Sequence, residues 1–250
     1  MTNSVTLIKA KIISSLILTL LVLFSFSLNS YSQNSKIRQL KLSEPPVVYK
    51  IRGDHYRRLG LLSKALNEYD KALTIKSNYS ECHYWKATIY EKKQLISQAL
   101  LELTLAMQNK NNFPSKAMYY DTLFLKAELY SKMEESENIK HADKLFERII
   151  TELKREKNLQ GIDFKPFLKH RLGKGFFLKG KLAYNNQMSE KDITWFEQAI
   201  NNNYKPDLAY YYQYLFYKKN KNKVRADKAL QEALKHNPNI MMDFKRYEKE

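Results

Sequence analysis

The hydrophobic residues of this chain recur at helical spacing rather than with the alternation of a strand. In residues 46–79 this spacing predicts two successive helices joined by a short turn. Gly60 lies in that turn, where glycine can adopt a positive φ and end the first helix. The small and aromatic positions of the two helices are Tyr49, Gly53 and Tyr56, then Ala65, Tyr69, Ala72 and Leu73.

The same pattern returns in the segment that follows directly, residues 80–113. The matching positions are Ala87, Tyr90, Ala99, Leu103 and Ala106. A fixed period of about 34 residues is typical of helix-turn-helix repeats that stack into an array. Small residues at set positions also have a physical reason, because two helices that cross closely leave no room for a larger side chain. The head of the chain is therefore predicted to hold two stacked helical repeats.

A second matched pair of repeats lies near the end of the sequence. Its positions are Gly180, Phe196 and Ala199 in residues 173–206, which recur one period later as Tyr214, Leu230 and Ala233 in residues 207–240. The segment between the two pairs fits an expanded repeat in residues 117–156, on the positions Phe124, Ala127, Tyr130, Ala142, Phe146 and Ile149. Residues 158–163 are predicted to be a polar loop.

These patterns together predict an all-α fold. We expect a right-handed α-solenoid of about five helix-turn-helix repeats, and residues 240–250 should form a short helix that caps the array. The predicted repeats are residues 46–79, 80–113, 117–156, 173–206 and 207–240.

The repeats resemble those of the tetratricopeptide repeat (TPR) family in the small and aromatic positions named above. The resemblance implies that the first helices of the repeats line a concave groove that binds a protein or peptide. Residues at the family's contact positions are Lys50, Asp54, Arg57, Tyr84, Thr88, Glu91, Phe124, Glu128, Phe177, Lys181, Tyr184, Tyr211, Leu215 and Lys218. The sequence disfavours one TPR subgroup, the co-chaperones whose repeats clamp the C-terminal carboxylate of a partner. Asp54 and Trp85 stand where that clamp has asparagines.

Residues 1–32 have the pattern of a secretory signal peptide. Lys9 and Lys11 precede an apolar run over residues 12–28, and small residues then flank a cleavage point after Ser32. The alternative is an uncleaved anchor in the inner membrane, since the run reaches the minimum length for a span. Residues 33–45 are predicted to be a flexible lead. We therefore expect an exported protein of the bacterial periplasm or envelope.

The sequence offers no group of residues with the spacing of a catalytic or metal site. Residues 175–181 approach a phosphate-loop pattern, but Leu182 stands where a hydroxyl would be needed to bind Mg²⁺. The five histidines show no paired ligand spacing, and Cys82 is the single cysteine. We predict that the protein is not an enzyme and that it needs no cofactor or metal.

The chain has a formal net charge of +17, and its densest basic run is residues 218–225. A solvated surface, an anionic membrane or envelope polymer, and an acidic protein partner each fit this charge. Nucleic acid is disfavoured by the predicted export. The sequence thus predicts an exported adaptor that binds a protein or peptide in its concave groove, within a bacterial envelope assembly. The alternative is binding of an anionic membrane, an envelope polymer or nucleic acid through the basic surface.

Overall fold

The computed structural model of the protein describes residues 44–108, 110–133, 135–160 and 166–247. The predicted signal peptide, and the lead up to residue 43, lie outside these ranges. Eleven α-helices and no strand are found in the described residues. The helices are α1 (Pro46–Arg58), α2 (Leu62–Ile75), α3 (Ser80–Lys92), α4 (Ile96–Met107), α5 (Lys116–Ser131), α6 (Ser136–Gln160), α7 (Pro166–Asn185), α8 (Ile193–Asn201), α9 (Pro206–Lys219), α10 (Lys223–His236) and α11 (Ile240–Tyr247).

The chain divides into two compact units, Met1–Tyr79 and Ser80–Glu250, which we describe separately. The described part of unit one is the hairpin of α1 and α2. Pro46 begins α1, where its missing N–H costs nothing. Gly60 takes the expected positive φ of 74° in the turn. Between the helices, Gly53 lies against the ring of the fully buried Tyr69.

Unit two is built from four helix pairs, α3–α4, α5–α6, α7–α8 and α9–α10. Each second helix also packs against the first helix of the next pair, as α4 does on α5, α6 on α7 and α8 on α9. The first helices contact one another in the order α3, α5, α7, α9. This stacking of pairs confirms the predicted all-α fold of the solenoid type.

The core of unit two is rich in aromatic rings that fill the space beside small residues. Phe196 on α8 stacks on Tyr212 on α9, with centroids 5.1 Å apart. Phe177 on α7 meets both rings edge-on, at 5.9 Å from each. Gly180 lies against Phe196, as Gly53 lies against Tyr69 in unit one. The small residues of the repeat thus have the packing role that the sequence predicted.

One boundary differs from the prediction. Helix α6 continues to Gln160, so the first three residues of the loop predicted over 158–163 are helical. No Gly or Pro occurs between Ser136 and Gln160 that would stop the helix before Gly161. The expanded third repeat therefore owes its length mainly to a second helix of 25 residues.

Among the described residues, no helix combines the length and the apolar character that a membrane span requires. The apolar run over residues 12–28 lies outside the described part of the chain.

Candidate partner-binding face

The predicted contact positions of unit two lie on its row of first helices. Eight of these side chains are partly or fully exposed. We call the surface that they share the first-helix face, and its residues are Tyr84, Thr88, Glu91, Glu128, Lys181, Tyr184, Leu215 and Lys218. Helical periodicity brings them together, because residues three or four positions apart share one side of a helix. The face therefore offers aromatic, aliphatic and charged groups along four neighbouring helices.

Two predicted contact positions belong to the core instead. Phe124 and Phe177 both have an exposed fraction of 0%. Burying a large apolar ring stabilises the fold by about 1.5–3 kcal/mol, which favours turning these rings between helices rather than toward water. We therefore correct Phe124 and Phe177 from contact positions to core residues.

Tyr211 is also largely covered, with 7% of its surface exposed. The ring of Phe244 on α11 lies 4.7 Å from it and that of Tyr214 lies 5.4 Å from it. Partial burial raises the pKa of Tyr211, and Tyr214 adds to this effect. The phenol is therefore neutral at physiological pH, and its ring is a packing surface for α11.

Ion pairs join neighbouring first helices on this face. Lys132 at the end of α5 lies 3.1 Å from the carboxylate of Glu91 on α3. Lys174 on α7 lies 2.8 Å from Glu128 on α5. Each of these side chains keeps some exposure, so each pair is worth about 1 kcal/mol or less. These pairs therefore contribute little to the stability of the fold.

The capping helix α11 lies across two of the first helices. Phe244 packs against Tyr211 and, edge-on at 5.2 Å, against Tyr212 on α9. The ring of Tyr247 lies 4.6 Å from Nζ of Lys181 on α7 and 4.7 Å from Nζ of Lys205. The sequence predicted a capping helix, but it carried no sign that this helix reaches the first-helix face of the fourth repeat.

Positive charge is concentrated around Lys205, a residue that the sequence analysis did not identify. It stands directly before α9 with a positive φ of 43°, in the region that non-glycine residues rarely adopt. Loss of hydration is the largest effect on its pKa and lowers it, and the nearby Lys174 and Lys181 lower it further. Asp207 and Glu128 oppose this shift without overcoming it.

The three predicted positions of unit one form a local polar cluster with Tyr69. Lys50 lies 3.0 Å from Asp54, and Asp54 accepts a 2.7 Å hydrogen bond from the hydroxyl of Tyr69. Arg57 donates to the same hydroxyl at 3.3 Å. All three side chains remain partly exposed. The hydrogen bonds of Asp54 and Arg57 to Tyr69 also join α1 to α2.

Among the described residues, grooves also lie on the side of unit two formed by its second helices, and two of them are large. The larger, of about 630 Å³, runs between α8 and α10, and Arg225 pairs with Glu190 at its edge. The smaller, of about 500 Å³, runs between α6 and α8 and contains Lys179 and Trp195. Within the described ranges, no cluster of three or more His, Cys, Asp or Glu side chains could hold a metal ion.

The architecture is similar to that of known TPR proteins. YrrB, described as a TPR protein with an unusual peptide-binding site, has a TM-score of 0.53 and 19% identity, over 80% of this chain and 90% of YrrB. The MamA protein has a TM-score of 0.52 and 18% identity, over 78% of this chain and 92% of MamA. The chain has the TPR fold. The sequence matches no protein-family model, and no curated protein is significantly similar to it.

At such low identity the similarity extends to the fold and no further. The TPR fold explains why the residues of the first-helix face align, because stacked repeats place equivalent positions side by side.

Proposed function

We propose that this protein is a TPR adaptor that binds a protein or peptide on its first-helix face. The observation that carries the proposal is the row of eight accessible residues along α3, α5, α7 and α9. A TPR fold supports it, since one protein of similar fold, YrrB, is described as having a peptide-binding site. Extended surfaces built from repeats are suited to binding a long segment.

The composition of the face indicates a partner with both apolar and charged groups. Tyr84 and Tyr184 are rigid aromatic side chains, and each packs edge-on against a neighbour, Trp85 at 4.8 Å and Tyr212 at 5.1 Å. Such side chains anchor interfaces at a low entropic cost. Leu215 adds apolar surface, while the charged side chains between them can select partners by charge.

The proposal is tested by selecting peptides from a random display library against the whole chain. Peptides that bind the first-helix face should lose binding to a Thr88→Arg variant. The matched control is Thr194→Arg on α8, in the larger groove of the opposite side. The two threonines are comparable because each hydroxyl donates a 2.8 Å hydrogen bond to the backbone carbonyl three residues earlier. Thr88 donates to Trp85, and Thr194 donates to Lys191. Selected peptides that lose binding only to Thr194→Arg would refute the assignment of the face.

The proposed setting is the bacterial envelope, and it rests on residues 1–32 of the sequence. Fractionation of cells, with a mass measurement of the purified chain, tests this setting. A chain that begins at Gln33 and is found in the periplasm would support export with cleavage. A full-length chain in the inner membrane would support the anchor instead, and a full-length cytoplasmic chain would refute export.

A second candidate function rests on the basic turn between α9 and α10. Lys219, Lys221 and Lys223 are exposed there, and Val224 beside them is 81% exposed. Cations around an exposed apolar side chain suit the headgroup region of an anionic membrane or an anionic envelope polymer. Nucleic acid has less support, because export would separate the protein from it.

Sedimentation with phosphatidylglycerol vesicles tests this second candidate. Lys221→Glu with Lys223→Glu should abolish sedimentation, whereas Lys92→Glu with Lys93→Glu, a distant pair in unit two, should reduce it less. Binding should also fall steeply as salt rises to about 0.5 M. Equal binding to neutral phosphatidylcholine vesicles would refute an electrostatic membrane contact.

A further inference from the structure

The larger groove on the side of the second helices has a buried polar side chain in its floor. The groove has a volume of about 630 Å³, with walls from α8 and α10 and a floor from α9. Gln213 on α9 lines this floor and is only 7% exposed. In the part of the chain that the structure describes, its amide makes no hydrogen bond and is not sealed from solvent. Buried polar side chains are nearly always hydrogen-bonded, so this amide suits a ligand that enters the groove.

Two tyrosine rings flank Gln213 along the floor. Tyr210 and Tyr217 lie on the same side of α9 and also line the groove. The ring of Tyr210 stacks on that of His236 at 5.8 Å, and the guanidinium of Arg225 lies 5.6 Å from the centre of the Tyr217 ring. The two tyrosines are about 10 Å apart along the helix, which is the length of about three residues of extended chain. The floor thus has a polar centre between two aromatic surfaces.

The two walls of the groove carry opposite charges. Glu197 lies on the α8 wall and Lys228 on the α10 wall, and both side chains are exposed. Among the described residues, neither takes part in an ion pair within 4.0 Å, and Lys228 acts on the nearby Glu232 only at longer range. The other charged side chains of the lining are engaged in ion pairs, which are Glu190 with Arg225 and Glu232 with Lys235. A ligand therefore meets an available carboxylate on one wall and an available ammonium group on the other.

We propose that this groove binds an extended segment of a partner protein in which basic and acidic residues alternate. In an extended chain, the N–H and C=O of one residue point to the same edge, and successive side chains point to opposite faces. A segment that rests one edge on the floor presents both backbone groups to Gln213, whose amide can donate one hydrogen bond and accept another. Its basic side chains then point toward Glu197 and its acidic side chains toward Lys228.

The chemistry of the floor favours an extended segment over a helical one. A helix uses its backbone N–H and C=O groups internally, so it has none to offer to Gln213. An extended chain leaves these groups unpaired, as a strand at the edge of a sheet does. The rings of Tyr210 and Tyr217 suit the aliphatic stems of lysine and glutamate. The groove is separate from the first-helix face, so the inference does not depend on the proposed function.

The probe for the experiment is a fluorescent octapeptide of four Lys-Glu repeats with both ends blocked, titrated into the full-length chain at low salt. When it is extended, all of its lysines lie on one face and all of its glutamates on the other. The control peptide has two Lys-Lys-Glu-Glu repeats, with the same composition but with both charges on each face. We expect the alternating peptide to bind at least about 5-fold more tightly than the control peptide. Equal binding of the two peptides, or no binding of either, would overturn the proposal.

Reversal of the wall charges tests the orientation of the segment. Glu197→Lys alone should weaken binding of the alternating peptide at least about 5-fold. Glu197→Lys combined with Lys228→Glu should restore binding, because the peptide can turn over and exchange its two faces. Asp227→Lys is the control, at an exposed position of α10 outside the groove, and should weaken binding much less. A double variant that binds as weakly as Glu197→Lys alone would overturn the proposal.

Gln213→Leu tests the hydrogen bonds of the floor. Leucine is close to glutamine in size but cannot form hydrogen bonds, so binding of the alternating peptide should fall about 10-fold. The melting midpoint should stay equal or rise, because the variant removes a buried polar group that has no partner within the described structure. Unchanged binding by the folded variant would overturn the proposal. If this variant does not fold, the wall variants still decide, since they change exposed residues.

Thr88→Arg separates this groove from the first-helix face. The alternating peptide should bind this variant as tightly as it binds the unmodified chain. Loss of binding to Thr88→Arg, with none to Glu197→Lys, would place the peptide on the first-helix face and overturn the proposal. A library selection that returned only peptides sensitive to Thr194→Arg would instead refute the first-helix face and support this groove.

Discussion

Gly53 on α1 faces the ring of Tyr69 on α2 so closely that a methyl group on the glycine would lie 2.5 Å from Cε1 of the ring. The relationship recurs in unit two, where a methyl group on Gly180 would lie 2.9 Å from Cε1 of Phe196. The members of the two pairs have the same separation in the sequence. In both repeats, the glycine lets two helices approach over a large aromatic ring.

This geometry predicts that Gly53→Ala and Gly180→Ala each destabilise the protein. Tyr69 and Phe196 are fully buried, so neither ring can move aside freely. Overpacking costs about 1–3 kcal/mol, and the better helix propensity of alanine recovers about 1 kcal/mol of it. We expect a net loss of up to about 2 kcal/mol in the free energy of unfolding, measured with denaturant. Gly60→Asn is the control, because asparagine tolerates its positive φ and no atom lies within 4 Å of an added Cβ.

Ala65→Asp should unfold the α1–α2 hairpin or destabilise it by about 3 kcal/mol or more. Ala65 has no exposed surface, so the substitution buries an unpaired charge. Asn67→Asp is the matched control, since Asn67 lies on the same helix and is exposed. Thermal melting followed by circular dichroism measures both variants. An unchanged melting midpoint for Ala65→Asp would contradict the close packing of α1 and α2.

Glu102 on α4 should make stability depend on pH in the acid range. Its carboxylate lies 2.6 Å from Nδ1 of His83 and 2.5 Å from Nζ of Lys86, both on α3. Burial by itself raises the pKa of Glu102, but the hydrogen bonds of His83 and Lys86 outweigh burial and lower it below its ordinary value. The stabilisation is therefore complete above the unfolded pKa of about 4.3 and is lost as the pH falls through the lower, folded pKa.

The variant that isolates this effect is Glu102→Gln. It should cost about 3 kcal/mol at pH 7, because it removes the charged carboxylate that pairs with the buried Lys86. The difference in unfolding free energy between the unmodified chain and the variant should shrink as the pH is lowered below about 4. A difference that stays constant over this range would show that the Glu102 pKa is the same in the folded and unfolded states.

Lys179 on α7 provides a test of how much a buried ion pair contributes. Its side chain is 7% exposed and its Nζ lies 3.0 Å from Asp143 and 2.6 Å from Glu147, whose side chains are 48% and 61% exposed. Replacement by methionine removes the desolvated charge and leaves two carboxylates that water can reach. Lys179→Met should therefore change the free energy of unfolding by no more than about 1 kcal/mol.

Lys179→Ala is the comparison for this test. It also removes the aliphatic stem, so it should cost about 2 kcal/mol. Chemical denaturation of the two variants distinguishes charge from packing. Equal, large losses in both would show that the ion pairs, and not the stem, stabilise this part of unit two.

The repeat period predicted the helix pairs because helical spacing and small residues are local properties of the sequence. Gly60 was placed in its turn for the same reason, since only a few residue types adopt its φ readily. The end of α6 was predicted too early, because a polar run without Gly or Pro is compatible with either a loop or a helix. With no Gly or Pro before Gly161, the helix continues to Gln160.

The sequence by itself determined the class of fold and the pairing of helices, because both follow from residue spacing. Only the tertiary structure decided which neighbour covers each side of a helix. It placed Phe124 and Phe177 in the core, laid α11 across Lys181 and Tyr211, and brought Lys174 and Lys181 close to Lys205. Contacts of this kind join residues far apart in the chain, and helical periodicity carries no information about them.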